Sequence, residues 1–147
     1  LTLIPKTVTG DETDMIVAIA NVGTWYRVEV ENLTAVFTNI GSYGYPYSSS
    51  GDAFSIQGVG TFAAVNKSGV SSSDYLIEVD PSTGSFINEV GPITGYSDVW
   101  GLAGSSVFAY AFDESGDVLA IDLETGSAEA VAETGISWWG AGVSTRL

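Results

Sequence analysis

Apolar and polar residues alternate along this chain in short runs, separated by clusters of Gly, Ser and Asp. "YRVEVE" from Tyr26, "YLIEV" from Tyr75 and "DVLAID" from Asp117 each place apolar side chains at every second position. That is the period of a half-buried strand. No segment sustains the 3.6-residue period of an amphipathic helix, and the 18 glycines are spread through the whole chain. The pattern predicts an all-β domain.

The runs also repeat. Aligned on Val30, Val79 and Ile121, "YRVEVENLTAVFTNIG", "YLIEVDPSTGSFINEVG" and "DVLAIDLETGSAEAVAETG" match in their apolar positions. One face of this strand is therefore expected to be buried in every copy. An acidic residue follows in each (Glu31, Asp80, Asp122), then a turn with Thr34, Thr83 or Thr125. Gly84 and Gly126 close the second and third turns, where a left-handed backbone suits glycine. Ala35 takes that place in the first copy, so its turn must differ or be strained. A second motif precedes the apolar runs: "DAFSI" (52–56), "DVWGL" (98–102) and "SWWGA" (137–141) share an aromatic followed by a small residue. Repeats of about 40 to 50 residues, each with several strands, point to propeller-like architecture.

Each unit reads as four strands, with the most polar one outermost. The first unit lacks an aromatic-small strand, and Pro5 argues against a central strand near the N-terminus. The segment "ISWWGAGVSTRL" at the C-terminus is an unpaired copy of that strand. The expectation is one domain, 1–147, of three four-stranded antiparallel blades spanning 15–41 plus 137–146, 52–91 and 98–134. The C-terminal strand completes the first blade. A three-sheet β-prism is the alternative with the same strand count.

"LIEVDPSTGSF" and "VLAIDLETGSA" resemble the Ile-Asp-x-x-Thr-Gly blade repeat of bacterial extracytoplasmic β-propeller proteins. The resemblance implies propeller blades, closure by a terminal strand, and a secreted, periplasmic or cell-surface location. It implies no single activity, because such proteins include quinone-dependent enzymes, sensors, adhesins and scaffolds. No quinone or catalytic-metal motif is present to transfer. Propellers have about 4–8 blades. Three blades therefore imply a homodimer forming a six-bladed ring, or a piece of a longer propeller. The terminal strand then pairs within the chain or crosses to the partner.

Composition narrows the chemistry. There is no cysteine and no histidine, so thiol nucleophiles, thiolate metal sites and the commonest general base are excluded. Eighteen acidic residues face four basic ones for a net charge of −14, which disfavours nucleic acid and anionic membrane surfaces as partners. No apolar run reaches the roughly 20 residues of a membrane helix. The chain starts at Leu1 rather than Met, which reads as a processed or trimmed terminus. The sequons at Asn32 and Asn66 matter only in a eukaryotic secretory route.

Three groups of residues are candidates for a site. "GSYGYPYSSSGD" puts Tyr43, Tyr45 and Tyr47 on a connector between the first two blades, and "GPITGYSD" puts Tyr96 on the next one. Tyrosines among Gly and Ser offer flat amphipathic surface for a sugar ring or a protein. Trp100 and Trp139 fall on the innermost-strand motif and are expected between blades. Alternation points Trp138 away from Trp139, so it joins the ligand-binding candidates. Asp113 and Asp117 in "DESGD" are the candidate metal ligands, with calcium as the cofactor they would suit; a solvated hairpin is the competing reading. The functional expectation is a non-enzymatic recognition or scaffolding module that binds glycan or protein through the Tyr loop. Its rival is an extracellular polysaccharide hydrolase or lyase using carboxylates or tyrosine.

Overall fold

The computed structural model describes residues 1–146; residue 147 of the expected domain lies outside the described residues. Three antiparallel sheets of four strands each follow the chain. The first holds β1 (Thr2–Ile4), β2 (Met15–Ile19), β3 (Thr24–Glu31) and β4 (Thr34–Ser42). The second holds β5 (Tyr47–Ile56), β6 (Gly60–Lys67), β7 (Tyr75–Val79) and β8 (Phe86–Pro92). The third holds β9 (Val99–Gly104), β10 (Phe108–Asp113), β11 (Asp117–Asp122) and β12 (Ala128–Glu133). A single helical turn, α1 (Lys6–Thr9), links β1 to β2. The all-β, propeller-like architecture expected from the repeat is the observed one.

The sheets stack face on face through two apolar cores. Ile4, Met15, Val17 and Trp25 of the first sheet meet Ala53, Ala63, Val65, Ile77 and Val79 of the second. The reverse face of the second, with Phe54, Phe62, Ala64 and Leu76, meets Leu102, Ala109, Ala111, Leu119 and Ile121 of the third. Alternation along each strand therefore makes both faces of the middle sheet apolar. The sheets do not close into a ring.

A shared bulge fixes how the three sheets correspond. Trp25 pairs Gly41 before the ladder shifts to Tyr26 and Asn39. Leu76 pairs Gly91 before Ile77 and Glu89, and Val118 pairs Ala132 before Leu119 and Ala130. This register makes Val28, not Val30, the counterpart of Val79 and Ile121. It also pairs Ala53 with Leu102 as equivalents, so Phe54 corresponds to Ala103 rather than to Trp100. Sequence alignment mislaid both because it counts residues, whereas a bulge inserts one without advancing the ladder.

The closing strand differs from expectation. β1, at the N-terminus, is the innermost strand of the first sheet, with Thr2 opposite Val17 and Ile4 opposite Met15. Pro5 does not break it, because Pro5 sits one residue past the strand, at the start of α1 with φ of −59°. Residues 134–146 carry no strand. They form an extended clasp along the inner strands instead. The Trp138 N–H donates to the Asp113 carbonyl, the Ala141 N–H to Asp52 Oδ2 (2.9 Å), and the Gln57 N–H to the Thr145 carbonyl (2.9 Å). Thr145 Oγ1 then donates to Asp14 Oδ2 at 2.7 Å. The clasp touches all three sheets, and Gly101 lets it pass close, since a Cβ there would lie 2.8 Å from the Gly140 carbonyl carbon.

The Thr-Gly turns form as the repeat predicts. Asp80 Oδ1 accepts from the Ser82 and Thr83 amides and from Thr83 Oγ1, at 2.9 to 3.0 Å. Asp122 Oδ1 accepts from Glu124, Thr125 and Thr125 Oγ1 at the same distances. These bonds hold the Asp122 carboxyl below its ordinary pKa, led by the one from Thr125. Each turn reaches the sheet before it. The Thr83 carbonyl lies over Gly41 and the Thr125 carbonyl over Gly91, so closely that a Cβ on either glycine would collide with it. The first sheet's turn differs, as Ala35 implied: β3 and β4 join through Asn32 and Leu33, both at positive φ (49° and 65°). That is a two-residue hairpin turn of the I′ kind, and its Leu33 is 99% exposed.

Candidate functional site

Strands alternate in direction, so β4–β5, β6–β7, β8–β9 and β10–β11 connectors all emerge on one rim. Every candidate ligand or metal residue lies on this rim, but only some meet.

The three Tyr-loop residues separate. Tyr43 is buried, edge-on to Trp25 with ring centroids 6.0 Å apart, and burial pushes its hydroxyl pKa up. Tyr47 is half-buried, stacked on Phe86 at 5.1 Å, and its hydroxyl donates to Glu89. Lys67 Nζ bonds the same Glu89 at 2.7 Å and sits 4.8 Å from the Tyr75 ring. Burial, then the Glu89 bond and charge, push the Tyr47 pKa up to about 12. Tyr45 alone stands open, at 92% exposure. The loop therefore anchors two tyrosines in sheet packing and presents one.

The tryptophans exchange the roles alternation assigned them. Trp139 is 72% exposed and stacks on half-buried Trp100 at 5.9 Å. Trp138 is the half-buried one, edge-on to Phe112 on the outer face of the third sheet at 5.7 Å, with its indole N–H donating to Thr134 Oγ1. The reason is that this segment is a clasp and not a strand, so period-two alternation has no sheet to act on.

Tyr96, Asp113 and Asp117 do come together. With Gly95, Ser97, Asp98, Glu114 and Ser115 they line an open cleft of about 390 Å³ between the β8–β9 connector and the β10–β11 turn. Asp113 is buried and its carboxylate is committed to the turn, accepting from Ser115 Oγ and from the Gly116 and Asp117 amides at 2.8 to 3.0 Å. It acts as an Asx-type cap. Asp98, Glu114 and Asp117 have no cationic partner among the described residues. Asp98 holds a φ of 55° and its carbonyl accepts from the Glu114 amide at 3.1 Å, which joins the two walls. Below the cleft, buried Asp74 accepts from Ser50 Oγ (2.6 Å) and the Val99 amide (2.9 Å). Burial raises its pKa, and the Asp98 charge adds to the rise.

No set of three metal-ligating side chains is assembled among the described residues. Glu114 belongs to the acidic "DESGD" run that sequence marks, whereas Asp98 and Asp74 carry no such signal. "SDVW" carries no sign that Asp98 takes a left-handed conformation, and Asp74 reads as one more polar residue after "SSS". A second cavity of about 260 Å³ is apolar, between β1, β5 and the clasp at Leu1, Leu3, Ile16, Phe54 and Val143.

No family model matches the chain, and no curated protein matches it. Among solved structures, it is similar to the Dos1 propeller, at 18% identity and a TM-score of 0.47, over 90% of this chain and 38% of that one. It is also similar to apo AztD from Citrobacter koseri, at 19% identity and a TM-score of 0.42, over 82% of this chain and 32% of that one. The chain spans less than half the length of either.

Proposed function

We propose that the chain is a non-enzymatic recognition or scaffolding module whose ligand site is the Tyr96–Asp117 cleft, and that the ligand carries positive charge. The supporting observation is the uncompensated set of carboxylates, Asp98, Glu114 and Asp117, beside Tyr96. Lys6, Arg27 and Lys67 bond to groups elsewhere, so the cleft's charge is left for a partner. A Lys- or Arg-bearing protein segment supplies both the charge and the alkyl stem that an aromatic wall accepts. A glycan on the Tyr loop is less well served, because one open ring, Tyr45, makes no platform. A tyrosine base is disfavoured at Tyr47, whose proton is held up to about pH 12.

Calorimetry with a Lys/Arg-rich peptide and with a neutral oligosaccharide tests this. The peptide is expected to bind, more tightly at low salt, and Asp98→Asn with Glu114→Gln to weaken it about tenfold. Asn tolerates the left-handed backbone at 98, so the fold is kept. Binding of the oligosaccharide and not the peptide would overturn the reading.

A further inference from the structure

The bulge register allows the same row of positions to be followed through all three sheets. Ser55, Thr61 and Val79 in the second sheet correspond to Gly104, Ala109 and Ile121 in the third. All six are buried, because each row packs against the preceding sheet. Their counterparts in the first sheet are Leu3, Ile16 and Val28, larger and more apolar than several of the six. Yet Leu3 and Ile16 are exposed, and beside Val28 on the same face stand Phe37 and Val30, the latter 68% exposed. The first sheet thus carries the receiving side of a sheet–sheet joint with no sheet on it.

The other side of the same joint is open at the far end. In the second sheet Phe62, Ala64 and Leu76 pack on the third. Their counterparts Tyr110, Phe112 and Val118 face outward from the third sheet, with exposed Phe108 beside them. We propose that these two faces are halves of one joint, closed head to tail by a second copy of this chain to give a ring of six sheets.

The joint's details changed together at the two ends. Inside the chain, a long Thr-Gly turn presses its Thr carbonyl on a glycine of the sheet before it, Gly41 or Gly91. At the end joint the equivalent of that glycine is Ala132, whose methyl would meet such a carbonyl. The turn that would approach it is the two-residue Asn32–Leu33 turn, which has no such arm. A shortened donor facing a filled acceptor fits the first sheet of one copy docking on the third sheet of another. Continuity with the two internal joints supplies the geometry, and a heterologous contact repeated twice closes the ring. The faces are apolar while the chain carries −14, so association should strengthen as salt screens the repulsion.

Light scattering coupled to size exclusion tests this on the 147-residue chain. A dimer is expected, favoured by salt. Val30→Glu with Phe37→Glu on one face, or Phe108→Glu with Tyr110→Glu on the other, should each weaken it about 100-fold while leaving the far-UV circular dichroism of the β-sheets unchanged. Mixing the two monomeric variants is the decisive arm: one wild-type joint can still form between them, so a heterodimer should appear. A parent chain that stays monomeric at all salt and protein concentrations overturns the proposal. So does a dimer insensitive to both variant pairs, or a mixture that stays monomeric.

Discussion

The first and second sheets carry the same alternating pattern on their third strands, yet Ile77 and Val79 are fully buried while their first-sheet counterparts Tyr26 and Val28 are only half-buried. Strand pattern states which side is apolar; it does not state whether a neighbour covers it. What separates the two sheets is the turn that follows. The Thr-Gly turn of the second sheet, capped by Asp80, projects onto Gly41 and Trp25, and glycine at 84 is required because a Cβ there would strike the Trp25 indole. The Asn32–Leu33 turn of the first sheet projects onto nothing.

Three substitutions bear on this contrast, the largest effect first. Gly91→Ala drives a methyl into the Thr125 carbonyl, and the second and third sheets must part to relieve it. A loss of about 2–3 kcal/mol is expected in denaturant unfolding. The matched change Ala132→Gly meets no internal turn and should cost only about 0.5–1 kcal/mol, the ordinary penalty of glycine in a strand. Equal losses from the two would show that the turns do not dock as described.

Leu33→Gly works in the opposite direction. It relieves a branched-chain residue held at a φ of 65° and creates the Asn-Gly pair that this turn type favours. A gain of about 1 kcal/mol is expected, read as a higher denaturation midpoint with an unchanged slope. The same substitution is meaningless in the second and third turns, which already use glycine.

The smallest effect is in pH dependence. Asp74 has a raised folded-state pKa, so its protonated form favours the native state: that contribution is full below the ordinary value of 3.8 and is lost as pH rises through the raised value. Asp14 and Asp122 have lowered values and act oppositely, losing their contribution as pH falls. Asp74→Asn keeps an oxygen for Ser50 and Val99. It should therefore remove the decline that sets in above about pH 4 without changing the acid limb. A parallel profile in parent and variant would mean that Asp74 does not titrate in that range.

Much of the architecture was legible because alternation and the Asp-x-x-Thr-Gly turn act over a few residues. The side chain of Asp80 or Asp122 needs only the next three residues to make its bonds. The ladder offsets were not legible, since bulges at Trp25, Leu76 and Val118 leave no local mark. The closing strand was misassigned for a related reason. Three residues, Thr2–Ile4, suffice to fill the innermost position, and Pro5 ends that strand rather than breaking it. On the rim, Tyr96, Asp113 and Asp117 were recognisable by type, but their meeting depends on two connectors from different sheets. Trp138 and Trp139 were read as a strand pair, and in a clasp their exposures reverse.

The clasp has a kinetic consequence. Its bonds span 89 residues from Ala141 to Asp52 and 131 residues from Thr145 to Asp14, whereas the sheets are built from hairpins between neighbours in the chain. Local hairpins close quickly; contacts of such separation wait for both ends to be in place. Docking of residues 137–146 is therefore expected as the last event of folding, and the first to be undone.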